Sequence, residues 1–157
     1  MTNKVIIGID LGTTYSCLAV WKDGKPIVIP SASGRTMPSW VSFVGTKKLV
    51  GKSAKDQVAS NPTNTVYDVK RILGRSFHDP VVQSERKHLS YTIVEGRNGE
   101  PKIQLNHGNR EFAPEEISAM ILSTFVFKNE LMIPVCVEKS HSFCNLTHYT
   151  FRFSSFF

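Results

Sequence analysis

The amino-acid sequence predicts a mixed α/β fold. An apolar, β-branched run, Val5–Ile9, is typical of a strand, and two turn dipeptides, Asp23-Gly24 and Asn98-Gly99, each lie between two candidate strands. Asp79-Pro80 and Pro114 mark the starts of helices, because proline suits the first turn of a helix. With 157 residues, 41% of them apolar and 20% charged, the chain has the size and composition of one globular domain or of a part of a larger one.

The first third of the chain is expected to form a β-meander. Because Val5–Ile9 is apolar throughout, we expect this strand to be buried on both faces. Ser16–Trp21 and Pro26–Ile29 are the next two candidate strands, and the Asp23-Gly24 turn between them favours a hairpin. Ser39–Val44 follows as a further strand.

Helices and one more hairpin are expected in the middle of the chain. The helices are predicted from capping residues, from prolines in the first turn and from acidic residues near the N-terminal end. They are Ala54–Ala59 after a Ser53 cap, a segment that starts at Asn64 or Thr65 and ends before Gly74, Pro80–Lys87, and a helix that begins at Pro114. The hairpin pairs Tyr91–Glu95 with Lys102–Asn106.

The composition changes near Leu122. Seven of the ten phenylalanines follow this residue, no glycine does, and the apolar residues beyond it keep no steady period. A domain with this ending would leave several aromatic side chains exposed. We therefore expect residues 1–122 to form the ordered unit and residues 123–157 to be an irregular tail that is foreign to it.

The chain is basic, with 19 Lys and Arg against 13 Asp and Glu and a net charge of +6. The basic residues are scattered, and the densest groups, such as Lys47-Lys48 and Arg86-Lys87, are short. This distribution favours a solvated basic surface over specific binding of nucleic acid. General polyanion binding stays open as an alternative, and a steep salt dependence of binding to arbitrary DNA would reveal it.

Membrane, export and disulfide signals are weak. Leu131–Val137 contains Pro134 and is too short to cross a membrane, and the N-terminal apolar run is interrupted at Asp10, too early for a secretory signal. Three cysteines do not make a disulfide framework, so we expect a cytoplasmic protein without a membrane partner. Four residues could be proposed as zinc ligands, although their spacing matches no common zinc module; they are Cys136, His141, Cys144 and His148.

The strongest chemical signal is the string Ile7–Cys17, in which a short loop joins the first two predicted strands. Gly12 lets the chain turn where a side chain would block the close approach of a ligand. Successive backbone N–H groups in such a turn can converge on an anion, and Thr13 and Thr14 add two hydroxyl donors. Because the loop leads into a strand, it differs from the common phosphate loops that lead into a helix. We interpret it as a phosphate-binding hairpin.

Asp10, at the end of the first strand, needs a cation if it faces phosphate oxygens. Mg²⁺ is the expected mediator, since it keeps several waters and uses few protein ligands. The competing interpretation is a purely structural turn, in which Asp10 caps local amides and the threonines pack on the sheet.

Lys70 is the second candidate. Phosphoryl transfer depends on positioning and charge stabilisation, so a site of this kind needs a cation near the γ-phosphate. A single lysine on a predicted helix is more often a solvated side chain. The spacing around Lys70 leaves both interpretations open.

Several strings of the sequence together closely resemble the start of the seventy-kilodalton heat-shock chaperones. They run in register from about Lys4 to Leu122, and their number and length make the resemblance specific. They are Ile7–Cys17, Arg35–Ser39, Asn61–Val66, Lys70–Arg75, Val81–Ser84 and Pro114–Ser118. The resemblance implies the actin-like (ribonuclease H-like) ATPase fold, with this chain as the N-terminal portion of the first lobe. In that family, ATP binding and hydrolysis control a separate peptide-binding domain.

The same resemblance implies roles for individual residues. Asp10 would hold Mg²⁺ through water and Lys70 would be the catalytic lysine that orients the attacking water and the γ-phosphate. The phosphates of ATP or ADP would be contacted by Gly12, Thr13, Thr14 and Tyr15.

Residues 123–157 resemble no part of the family, which continues with a second phosphate loop and a second lobe. In the family, the two lobes enclose the nucleotide in a cleft, and this chain would form one wall of that cleft. It is therefore expected to bind nucleotide weakly and to hydrolyse it poorly, because one wall lacks most ligand contacts and the closure that excludes water. Whether the chain is an enzyme therefore stays open. The alternative is a non-enzymatic interaction module that binds co-chaperones or competes with the full-length chaperone.

Overall fold

The computed structural model describes residues 6–106, 110–128 and 149–152. Its strands are β1 (Ile6–Leu11), β2 (Tyr15–Lys22), β3 (Lys25–Ile29), β4 (Met37–Pro38), β5 (Val41–Val44), β6 (Lys47–Val50), β7 (Thr65–Val66), β8 (Thr92–Glu95), β9 (Pro101–Gln104), β10 (Glu111–Phe112) and β11 (Tyr149–Arg152). Its helices are α1 (Lys52–Lys55), α2 (Pro80–Glu85) and α3 (Pro114–Lys128), with 3-10 helices at Pro62–Asn64 and Val69–Arg71. The predicted mixed α/β class is confirmed.

The first sheet contains the predicted β-meander. β1, β2 and β3 pair antiparallel in chain order, with Ile9 opposite Leu18 in the first pair. β4 pairs with the start of β2, where Ser16 lies opposite Met37. β11 pairs antiparallel with the other side of β1, so that Tyr149 lies opposite Ile9. β1 is therefore an inner strand with a neighbour on each side.

β1 is buried on one face only. Ile7 and Ile9 are 3% and 6% exposed and Leu11 is buried as well, whereas Gly8 and Asp10 are exposed. The prediction of burial on both faces is wrong, because side chains alternate across a strand and Gly8 and Asp10, on the second face, are exposed. The alternation leaves Asp10 accessible at the end of β1.

A continuous hydrophobic core joins α3 to the second sheet, of strand order β6-β5-β7, and to the third sheet, of strand order β10-β9-β8. Ile117 and Ile121 of α3 are fully buried, as are Val41 of β5 and Ile103 of β9. The same cluster includes Ile72, which directly follows the second 3-10 helix. The core therefore reaches the segment that carries Lys70.

The helix that was expected to end before Gly74 does not form. Thr65–Val66 pairs with β5 as strand β7, which suits its β-branched side chains. Asp68 then adopts the left-handed backbone angles φ 55° and ψ 21°, which an α-helix cannot contain. The chain makes only the 3-10 helix Val69–Arg71, so Lys70 lies on a short turn instead of an α-helix.

α2 begins as its sequence predicts, with Pro80 in the first turn. The carboxylate of the preceding Asp79 accepts a 2.8 Å hydrogen bond from the N–H of Val81. This bond, together with Arg75 at 3.0 Å, holds the pKa of Asp79 below its ordinary value. Asp79 is therefore the N-cap that the sequence indicates.

Other elements differ from the predictions in extent. α1 covers only Lys52–Lys55, and its N-cap is Gly51 instead of Ser53. The hairpin of β8 and β9 is confirmed, with Gly99 at φ 76° in its turn. Five further strands were not predicted, because two to four residues are too few for a clear alternation of apolar and polar side chains; they are β4, β6, β7, β10 and β11.

The boundary near residue 122 stays a prediction. α3 continues through Leu122 to Lys128, and Tyr149–Arg152 is a strand, so parts of the segment expected to be irregular have regular structure. None of the helices within the described ranges is long and apolar enough to cross a membrane. The four residues considered as zinc ligands lie outside the described residues; they are Cys136, His141, Cys144 and His148.

Tyr91 joins the third sheet to the segment that precedes Lys70. It is 3% exposed, and its hydroxyl donates a 2.7 Å hydrogen bond to the carbonyl of Tyr67. The Tyr67 ring meets the Tyr91 ring edge-on at 5.8 Å and stacks on Trp40 at 4.3 Å. Burial raises the pKa of Tyr91 well above its ordinary value.

We predict that Tyr91 makes the fold sensitive to alkaline pH. The unfolded chain releases the phenol proton from about pH 10, whereas the folded chain retains it because its pKa is raised. The free energy of unfolding therefore falls above about pH 10, by up to about 1.4 kcal/mol per pH unit from this group. Urea unfolding at several pH values should show a shallower alkaline decline for Tyr91→Phe than for the wild type.

The control is Tyr15→Phe, which removes the hydroxyl of a tyrosine that is 46% exposed. Tyr91→Phe also loses a hydrogen bond, which lowers stability at every pH and leaves the slope as the diagnostic quantity. An unchanged slope in Tyr91→Phe would contradict the prediction.

Candidate functional site

The connection between β1 and β2 is a tight turn that begins at Gly12. Leu11 and Ser16 lie opposite each other at its base. A β-carbon built on Gly12 would collide with the carbonyl oxygen of Tyr15, so the turn requires glycine at this position. This turn adjoins the end of β1, where Asp10 is accessible.

Ser39 holds two peptide groups of this turn. Its backbone N–H donates to the carbonyl of Thr14 at 2.9 Å, and its hydroxyl donates to the carbonyl of Gly12 at 2.8 Å. Its Oγ also lies 2.8 Å from the Oγ of Ser16, and the two serines are 3% and 1% exposed. The segment between β4 and β5 thus fixes the turn from one side.

Thr13 and Thr14 keep their donor groups available. Within the described residues, no hydrogen bond uses the backbone N–H or the hydroxyl of either threonine. A purely structural turn would have the Asp10 carboxylate cap a local amide, and no such bond occurs in the described part of the chain. The local geometry is therefore that of an open set of donors beside an exposed carboxylate.

Lys70 reaches the same connection from a distant part of the chain. Its Nζ donates a 2.5 Å hydrogen bond to the carbonyl of Leu11, 59 residues away in sequence. Val69 and Ile72 are 2% and 0% exposed and anchor this segment in the core. The ammonium group therefore lies beside Leu11, the residue that follows Asp10.

Tyr15 turns its ring toward α1. Its hydroxyl accepts a 3.4 Å hydrogen bond from the Nζ of Lys55, which lies 5.5 Å from the centroid of the Tyr15 ring and 6.0 Å from that of Trp40. A cation over aromatic faces is attracted by their negative charge distribution. A phosphate contact from Tyr15 would therefore come from its backbone N–H.

The six residues predicted for the site lie in one place. Asp10 lies near the end of β1, residues 12–14 form the β1–β2 connection and Tyr15 begins β2, while Lys70 bonds to the carbonyl of Leu11 at the end of β1. Their binding and catalytic roles stay predictions. Sequence reasoning missed Ser16, Ser39 and Lys55 as parts of the site, because contacts between distant segments leave no periodic or local pattern. Ser39 appeared only as the start of a predicted strand and as the end of a family-like string.

The accessible Asp10 fits a magnesium ion. None of the ion pairs among the described residues involves its carboxylate, and carboxylate oxygens are ligands that Mg²⁺ accepts. The described ranges contain no group of three or more His, Cys, Asp or Glu that could hold a metal together. An ion here would depend on water and ligand oxygens for its remaining positions, as Mg²⁺ does beside phosphates.

Comparison with known proteins identifies relatives along most of the chain. The family model described as "Hsp70 protein" matches residues 6–139. This match extends beyond residue 122, where the family-like part of the sequence was predicted to end.

Curated relatives agree with this match. The chain is 50% identical over 119 residues to "Heat shock 70 kDa protein" of Neurospora crassa, covering 74% of this chain and 18% of that protein. It is 50% identical over 121 residues to "Heat shock cognate 70 kDa protein 3" of Dictyostelium discoideum, covering 74% and 19%. It is 46% identical over 123 residues to "Putative heat shock 70 kDa protein 7" of Homo sapiens, covering 76% and 33%. The chain therefore spans a minor part of each relative's length.

We predict that Gly12→Ala distorts the β1–β2 turn. The new methyl group must displace the carbonyl of Tyr15, which should lower the free energy of unfolding by about 1–3 kcal/mol. The backbone amide resonances of residues 12–15 should shift in the ¹⁵N spectrum. Urea unfolding and this spectrum measure the two effects.

The matched control is Gly8→Ala in β1, where an added β-carbon meets nothing within 4 Å. This variant should stay within about 1 kcal/mol of the wild type. Equal behaviour of the two variants would show that the Gly12 turn tolerates a side chain, contrary to the geometry.

Proposed function

The chain belongs to the Hsp70 protein family, and we propose that it forms one wall of a nucleotide site that binds the phosphates of Mg-ATP or Mg-ADP. Its fold is the N-terminal portion of the actin-like ATPase domain of that chaperone family. The first-lobe unit is proposed to end near residue 122, and the cytoplasm is the proposed compartment.

One observation carries this proposal: the hydrogen bond from Lys70 to the carbonyl of Leu11. It brings an ammonium group to the end of β1, which carries Asp10, and to the connection that holds Gly12 and the two threonines. A cation and several N–H and hydroxyl donors in one place are what polyphosphate oxygens require.

Each residue would have a distinct role. The backbone N–H groups of residues 13–15 and the hydroxyls of Thr13 and Thr14 would donate to phosphate oxygens, with Gly12 allowing their close approach. Asp10 would accept hydrogen bonds from water bound to Mg²⁺, and the ion would supply positive charge between the carboxylate and the phosphates. Lys70 would orient the γ-phosphate and the attacking water.

We propose that the 157-residue chain binds nucleotide weakly and hydrolyses it near background. It spans less than a fifth of the length of the Neurospora and Dictyostelium relatives. A ligand held by one wall forms a fraction of the contacts that an enclosed site provides, and it stays open to water.

The test is calorimetric titration of the 157-residue chain with Mg-ATP and Mg-ADP. We predict binding weaker than micromolar, reduced at least about fivefold by Lys70→Ala because one charge-assisted contact is lost. Asp10→Asn should remove most of the dependence of affinity on Mg²⁺, with a smaller effect on binding without the metal.

Matched controls are Lys47→Ala, an exposed lysine of β6, and Asp23→Asn, an exposed turn residue. Both should bind nucleotide like the wild type. Micromolar or tighter binding by the monomeric chain would contradict the proposed weak half-site. Undetectable binding at millimolar nucleotide would contradict phosphate binding by this chain.

The alternative role, binding of co-chaperones or competition with a full-length chaperone, predicts a different pattern. Partner binding would then persist in Lys70→Ala and Asp10→Asn and would not depend on nucleotide. Pull-down of co-chaperones by the wild type and both variants distinguishes the two roles.

A further inference from the structure

We infer that Ser39, supported by Ser16, is a positioning residue for the proposed phosphate-binding turn, and this inference rests on the proposed function. Ser39 lies outside the turn and has no predicted ligand contact. It acts by holding the Gly12–Thr13 and Thr14–Tyr15 peptide groups in one orientation.

The direction of the hydrogen bonds follows from the number of protons. Each serine hydroxyl has one proton, and that of Ser39 is donated to the carbonyl of Gly12. In the 2.8 Å hydrogen bond between the two hydroxyls, Ser16 must therefore be the donor and Ser39 the acceptor. Ser16 thus orients the Ser39 hydroxyl toward the turn, and both groups are satisfied although they are buried.

The held carbonyls orient the donors of the turn. In a trans peptide the C=O and N–H groups point in opposite directions, and the described chain has no cis peptide bond. The Gly12 carbonyl points to Ser39, so the N–H of Thr13 points away from it. The Thr14 carbonyl also points to Ser39, so the N–H of Tyr15 points away in the same manner. Ser39 therefore sets the direction of two N–H groups that the proposed function assigns to phosphate.

Ser39 itself is held by both neighbouring sheets. On one side β4 pairs with β2, where Pro38 lies opposite Tyr15. On the other side the carbonyl of Trp40 accepts a 2.9 Å hydrogen bond from the N–H of Gly51, and β5 follows at once. A binding loop supported by a rigid and buried group loses less conformational entropy when its ligand binds.

The experiment compares Ser39→Ala with Ser42→Ala. Ser42 is a matched control because its hydroxyl forms a buried 2.9 Å pair with Thr65, also 23 residues away, in the second sheet. Both variants lose one buried hydroxyl pair and should lose comparable stability. Only Ser39→Ala should shift the amide resonances of residues 13–15 in the ligand-free chain.

The second measurement is the affinity for Mg-ADP. We expect Ser39→Ala to weaken binding by about three- to tenfold, Ser16→Ala by less, and Ser42→Ala not at all. The double variant Ser16→Ala/Ser39→Ala should bind like Ser39→Ala alone, because Ser16 acts through Ser39.

The two measurements separate this inference from the proposed function. Amide shifts in Ser39→Ala that match those in Ser42→Ala would overturn the inference, and so would shifted amides with unchanged affinity. A wild-type chain that does not bind Mg-ADP would refute the proposed function and, with it, a role of Ser39 in phosphate binding. The amide shifts would then still decide whether Ser39 orients the turn.

Discussion

The contact between Lys70 and the carbonyl of Leu11 is the constraint on which the site depends. It joins residues 59 positions apart and brings the ammonium group of Lys70 to the end of β1. The contact exists because hydrophobic side chains on both sides of Lys70 are buried in the common core. Burial of apolar surface therefore supplies the energy that holds a charged side chain beside a polar turn.

Two independent supports act on the same turn. Lys70 approaches the residue before it, and Ser39 holds the peptide groups within it. The first support comes from the segment after β7, and the second comes from the segment between β4 and β5. A short hairpin connection would be mobile on its own. Here the elements packed around the β1–β2 connection hold it in one conformation.

Local sequence patterns predicted the parts of the fold that depend on neighbouring residues. The meander, the Asp79 cap of α2 and the β8–β9 hairpin follow from turn and capping chemistry. The helix expected before Gly74 failed because pairing with β5 and the left-handed Asp68 override helical propensity. The local sequence of a segment does not show which distant strand the segment will pair with.

Like the fold, the candidate site could be predicted from the sequence only where it depends on local chemistry. The glycine and hydroxyl residues of the turn were identified from their local chemistry, while Lys70 became a strong candidate only through family resemblance. Its contact with Leu11, and the Ser16–Ser39 pair, depend on how distant segments fold together. A lysine on a predicted helix carries no sign of such a partner.

The most direct test of phosphate binding by this turn is a titration of the ¹⁵N-labelled chain with magnesium pyrophosphate, which presents phosphate groups without adenosine. The account predicts progressive shifts in the backbone amides of residues 12–15, with smaller changes around Lys70. Shifts confined to other basic parts of the surface, with these amides unchanged, would contradict it.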